Sequence, residues 1–191
     1  MEREKKIDNN VSRPTSHVSR PLYWYIATWF GCGISPVISG TAGSLGALPF
    51  AYIIQRCFGN FALFGASIVM FLIGWWASNQ YLKHTGRDDD PREIVVDEVA
   101  GQWLLLSVLF PTWHSYLVGF VLFRAFDIVK PWPISVADEK IKGGIGVMFD
   151  DMLAALYPIL IYLFILIEAR WLGSQKLLQQ VINFLGGSYV H

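Results

Sequence analysis

Residues 61–82 read FALFGASIVMFLIGWWASNQYL, twenty-two positions without a single Asp, Glu, Lys or Arg. A helix of that length rises about 33 Å, enough to cross the ~30 Å hydrocarbon core of a bilayer. Upstream, Gly59-Asn60 makes a turn, and residues 44–58 form a shorter apolar run interrupted by Pro49. Downstream, the polar loop KHTGRDDDPRE (83–93) is followed by a third apolar run over 94–110, a turn at Pro111–His114, and a fourth run over 115–129 closed by Pro131 and Pro133. A second polar loop, 134–149, carries Gly143, Gly144 and Gly146, and a fifth run starts at Asp150-Asp151 and continues to about Leu172. The pattern predicts an all-α, polytopic integral membrane helical bundle with about four to five short transmembrane helices.

Interfacial helices complete it. The stretch PLYWYIATWFGCGISPVIS (21–39) is too interrupted to span, and its Trp and Tyr suit the headgroup level. At the other end Leu177, Leu178, Val181, Ile182 and Leu185 recur at helical spacing. Three regions follow: a disordered basic cytoplasmic tail over 1–20, a membrane domain over 21–172 and an amphipathic C-terminal tail over 173–191.

Composition agrees. Of 191 residues, 53% are hydrophobic and 16% charged, with a mean hydropathy of +0.40, whereas a soluble domain carries about 25% charged residues. The formal net charge is zero and no basic block is long enough to suit a nucleic-acid partner. Cys32 and Cys57 lack CxxC spacing, and His17, His84, His114 and His191 lack ligand spacing, so neither a disulfide framework nor a Cys/His metal site is indicated. No apolar core closely follows Met1, which argues against a cleaved signal peptide.

With the basic N-terminus placed inside, five crossings put the loops 83–93 and 130–149, and the segment Gly40–Ser44, on the same cytoplasmic side. Every unusual polar cluster lies there. Asp97 and Glu98 sit just inside an apolar run in IVVDEVAGQW. One acid suffices to complement a helix dipole, and ionised groups at membrane depth tend to mark function. Arg124, Asp127 and Lys130 in FRAFDIVKPWP recur at i, i+3, i+6. That spacing suits either a salt-bridged helix end or a phosphate bound beside a metal. Asp150 and Asp151, after the glycine-rich KGGIGVMF, read either as an N-cap with a first-turn acid or as a metal-ligand pair. Gly40-Thr41-Ala42-Gly43-Ser44 opens the first run and offers either capping and close packing or phosphate-binding N–H groups. Asp90, before Pro91, is a secondary candidate in an acidic loop. Together these give five carboxylates and two cations on one face, a set suited to Mg²⁺ and a phosphoryl group.

GTAGSLGALP, DPREIVVDEVAGQW, FRAFDIVKPWPI and GGIGVMFDD, in that order and spacing, resemble the successive signatures of the bacterial phosphatidylglycerophosphatase A family over about residues 21–172. The resemblance implies a Mg²⁺-dependent, multi-pass inner-membrane enzyme with its active site on the cytoplasmic face. Such an enzyme removes the terminal phosphate of phosphatidylglycerophosphate, a phospholipid substrate, to give phosphatidylglycerol in phospholipid biosynthesis. On this reading Asp97, Glu98, Asp127, Asp150 and Asp151 bind metal and activate water, Arg124 and Lys130 hold the phosphate, and Thr41 and Ser44 add hydrogen bonds. Direct water attack and a covalent aspartyl-phosphate use the same residue types. A phosphatidyltransferase would show a longer aspartate and glycine pattern. A transporter would place its acids nearer the midplane, and a structural subunit would leave many charges near the bilayer unexplained.

Overall fold

The computed structural model describes residues 20–35, 38–86, 91–171, 179–180 and 182–183. The expectations for the N-terminal tail (1–20) and for Asp90 therefore lie outside the described residues, apart from Arg20, as does most of the C-terminal tail. Every described element is helical: α1 (Leu22–Ala27), α2 (Ser39–Phe58), α3 (Asn60–Thr85), α4 (Val96–Leu106), α5 (Trp113–Val129), α6 (Ile134–Lys140) and α7 (Gly144–Trp171), with a single 3-10 turn at Cys32–Ile34. The all-α reading is therefore correct.

Of the four to five expected spans, two are borne out by length and composition: among the described residues, two helices are long and apolar enough to cross a bilayer, Asn60–Thr85 and Gly144–Glu168. The third apolar run instead forms an eleven-residue helix, α4, with every residue buried. At 1.5 Å per residue it rises only about 16 Å. Its apolarity reflects burial on all sides, since it packs against α2, α3, α5 and α7. An apolar run within a bundle core and one facing lipid look alike in sequence.

Two starting points also move. α2 begins at Ser39 and α7 at Gly144, five and six residues before the expected starts at Ser44 and Asp150. Asp150 and Asp151 thus lie in the second turn of α7, which removes the capping alternative. The loop 134–149 is not wholly irregular either, since α6 occupies its first half.

The chain alternates direction through α2, α3, α4 and α5, and three layers of contacts fix the pairing. At one end Gln55 of α2 is almost fully buried. Its Nε2 donates to the carbonyls of Leu106 (3.0 Å) and Leu109 (2.7 Å) at and just past the end of α4, which also accept from Leu109 N (3.1 Å) and Asn60 Nδ2 (3.4 Å), while Tyr116 Oη donates to its Oε1 at 2.8 Å. Midway, Trp103 Nε1 donates to the Ala47 carbonyl (2.9 Å) and Ser67 Oγ to that of Ala100 (2.8 Å). At the opposite end Gly144 N donates to Asn79 Oδ1 (3.1 Å), and Val95 N donates to the Ala27 carbonyl (2.9 Å). Gln55→Leu keeps the volume but removes two hydrogen bonds to buried carbonyls and strands a tyrosine hydroxyl, a cost of about 2–4 kcal/mol. Thermal unfolding in detergent is expected to show a melting temperature about 5–10 °C lower.

Candidate active site

The start of α2, the start of α4, the C-terminal end of α5 and the second turn of α7 meet around a cavity of about 700 Å³. α2 contributes Ser39, Gly40 and Thr41; α4 contributes Asp97 and Glu98; α5 and its cap contribute Arg124, Asp127, Ile128 and Lys130; α7 contributes Asp150 and Asp151. Arg92 and Ile94, just ahead of α4, complete the wall. All five carboxylates singled out in the sequence, both cations and Thr41 therefore converge. Ser44 does not. It is fully buried one turn further along α2, off the cavity wall, and its Oγ has no hydrogen-bond partner.

Four of the acids are deeply buried: Asp97 is 5% exposed, Glu98 9%, Asp150 3% and Asp151 3%. Two cations organise them. Arg124 Nη1 lies 2.9 Å from Glu98 Oε1 and 2.5 Å from Asp127 Oδ2. Lys130 Nζ lies 2.6 Å from Asp150 Oδ2 and 3.1 Å from Asp138 Oδ1. Partial burial works against the Lys130 charge, but its hydrogen bond to Asp150 and the charges of Asp150 and Asp138 outweigh that and raise its pKa. Lys130 therefore stays cationic across the physiological range. It is also the C-cap of α5, in the left-handed region at φ 42°, which turns the chain toward α6 and Asp138.

Carboxylate oxygens also close the local backbone. Asp97 Oδ1 accepts from Glu98 N at 2.9 Å, and Asp150 Oδ1 accepts from Asp151 N at 3.0 Å. Asp151 Oδ2 is buried with no hydrogen-bond partner. The first residues of α2 can enter this assembly because position 40 has no side chain. A Cβ at Gly40 would sit 2.0 Å from Glu98 Oε1 and 2.8 Å from Arg124 Nη2. Glycine is needed here for close approach, since the helical backbone itself is ordinary.

Among the described residues no three Asp, Glu, His or Cys side chains form a ready-made metal cage. Even so, the donor set suits a hard divalent cation. Five carboxylates against three cations leave a surplus of two negative charges, and one buried carboxylate oxygen lacks a partner. Mg²⁺ characteristically binds through one or two carboxylates, waters and substrate phosphate rather than an all-protein cage.

Sequence reasoning misses two participants. Arg92 lies in the quoted DPRE motif as a third cation, and Asp138 sits in α6 within the expected loop. At Gly40 the close-packing alternative holds, since the structure uses its missing side chain.

The family model for phosphatidylglycerophosphatase A matches residues 25–166. Over 151 residues the chain is 38% identical to a phosphatidylglycerophosphatase A of Escherichia coli (strain K12), covering 77% of this chain and 84% of the relative. It is 34% identical over 155 residues to a phosphatidylglycerophosphatase A of Haemophilus influenzae, covering 81% and 93%. A putative phosphatidylinositol-3-phosphatase of Bacteroides thetaiotaomicron is 40% identical over 161 residues, covering 76% and 92%. No solved structure matches the chain.

Proposed function

The chain belongs to the phosphatidylglycerophosphatase A family, and from that premise we propose that this phosphatase hydrolyses the terminal phosphate monoester of phosphatidylglycerophosphate at the cavity between α2, α4, α5 and α7. The observation that carries the reading is the convergence of five carboxylates and three cations on one 700 Å³ cavity. Such a cavity is too polar for bilayer lipid and the right chemistry for a phosphoryl group and a divalent ion.

Arg124, Lys130 and Arg92 hold the phosphoryl oxygens, with the first N–H groups of α2 at Ser39–Thr41 adding donors. Asp97, Glu98, Asp127, Asp150 and Asp151 are the residues that would hold Mg²⁺. Bound there, Mg²⁺ would offset charge on the phosphoryl oxygens and make water a better nucleophile. One of the buried carboxylates takes the proton from the attacking water. A bond forms between the water oxygen and phosphorus, the ester P–O bond breaks, and the proton passes to the departing glycerol oxygen. The products are inorganic phosphate and phosphatidylglycerol.

In this reading the bundle is anchored in the bacterial inner membrane by α3 and α7, with the cavity on the cytoplasmic side. The two long apolar helices support membrane insertion, and the basic N-terminal segment supports the cytoplasmic side. A lipid substrate then keeps its acyl chains in the bilayer while its headgroup reaches the cavity.

The test is phosphate release by the purified protein in mixed micelles, with Mg²⁺ or with chelator. Phosphatidylglycerophosphate and phosphatidylinositol 3-phosphate are assayed side by side. Mg²⁺-dependent release from phosphatidylglycerophosphate is expected. Turnover of the inositol lipid alone would move the substrate to that class, and release from neither by folded protein would sink the reading.

A further inference from the structure

A second cavity, about 640 Å³, lies between the same two helices that frame part of the site. Its wall is mainly apolar: Leu45, Leu48, Pro49 and Tyr52 of α2 face Trp113 and Tyr116 of α5, and Thr112 and His114 at the start of α5 are its polar members. Its position relative to the site follows from helical spacing. On α2, Thr41 of the site cavity and Leu45, Leu48 and Tyr52 of the groove recur at i, i+4, i+7, i+11, a single stripe. On α5, Tyr116 of the groove, Phe120 and Arg124 of the site recur at i, i+4, i+8, again one stripe. The apolar groove is therefore the continuation, along the α2/α5 seam, of the charged cavity.

We infer that this groove seats one acyl chain of the phospholipid whose phosphate occupies the site, and that it sets chain-length preference. Three observations point to that occupant. From Thr41 to Tyr52 the stripe runs about 16 Å, roughly half the ~30 Å hydrocarbon core, so it is one leaflet deep. The Tyr116 hydroxyl is consumed, because it donates to Gln55, and the polar Thr112 and His114 lie at the start of α5, the end remote from the site. Toward the far end the groove is lined by aromatic side chains: Trp113 borders it, and Tyr52 and Tyr116 meet edge to face with ring centroids 5.9 Å apart. A headgroup held at Arg124 thus has a mainly apolar channel of leaflet depth beneath it, lined by aromatic side chains toward its far end. Lipid tails surround the protein in any case, so the groove acts through shape and not through any gain in apolar burial.

This inference rests on the phospholipid-phosphatase reading, and its test separates the two. The full-length protein is assayed in mixed micelles on dioleoyl and dihexanoyl forms of phosphatidylglycerophosphate. Leu45→Trp fills the groove and is expected to lower the ratio of kcat/KM for the long chain over the short chain about five- to tenfold. Tyr52→Ala removes one of the far-end aromatic side chains and is expected to shift the preference toward longer chains. As an independent readout, a substrate analogue carrying a diazirine near the end of one acyl chain should crosslink to α2 between Leu45 and Tyr52. Equal loss on both substrates in Leu45→Trp, together with crosslinking elsewhere, overturns the groove. Wild-type protein that releases phosphate from neither lipid overturns the phosphatase reading, and the groove with it.

Discussion

Asp151→Asn is expected to lower kcat/KM for phosphate release by about 10³ while raising the melting temperature by a few degrees. Asp151 is 3% exposed, lies inside α7 rather than at its end, and has one carboxylate oxygen without a hydrogen-bond partner. The charges nearest to it in effect are Asp127, Asp97, Asp150 and Glu98, all acids. Burying a carboxylate among like charges is unfavourable unless it is paired, and Arg124, the cation whose charge reaches Asp151, is already paired with Glu98 and Asp127. Asparagine has nearly the same shape and no charge, so it removes that repulsion. A residue that lowers stability and is kept nonetheless is the signature of a site built for a bound cation and phosphate. Thermal unfolding and steady-state kinetics on the same detergent preparation check both halves. A variant that unfolds more easily yet turns over normally would make Asp151 a packing residue and move the chemistry to other acids.

The gathering of these groups was legible in sequence because charge inside apolar runs is rare enough to stand out. Asp97-Glu98, Arg124-Asp127-Lys130 and Asp150-Asp151 each interrupt or end such a run, and all line one cavity. What was not legible depends on neighbours. GGIG reads as a loop from propensity, yet Gly144 opens α7, and a Cβ there would be 2.7 Å from the Asn79 backbone nitrogen. The glycine is there for packing, and packing overrides its low helix propensity. α4 misled for a different reason. Its apolar faces look toward four other helices, and nothing in its sequence distinguishes them from lipid. Gln55 and Asp138 carried no local signal at all, since their partners at Leu106, Leu109 and Lys130 are brought to them only by the fold.

Arg124→Ala is expected to be the most damaging single change to both folding and turnover. One guanidinium nitrogen serves Glu98 at 2.9 Å and Asp127 at 2.5 Å, in a setting where the three side chains are only 12–15% exposed. Removing the cation leaves two mostly buried carboxylates uncompensated, a cost of about 3–5 kcal/mol. That corresponds to a melting temperature roughly 10 °C lower. It also deletes the donor best shaped to grip a phosphoryl group, since Arg offers a planar fork where Lys offers a point. Arg124→Lys separates the two effects. The retained charge restores most of the stability, but one ammonium cannot span Glu98, Asp127 and a phosphate together, so KM stays at least about tenfold above wild type. Recovery of both stability and KM in Arg124→Lys would reduce Arg124 to a neutralising charge, and the phosphate grip would then fall to Lys130 and Arg92.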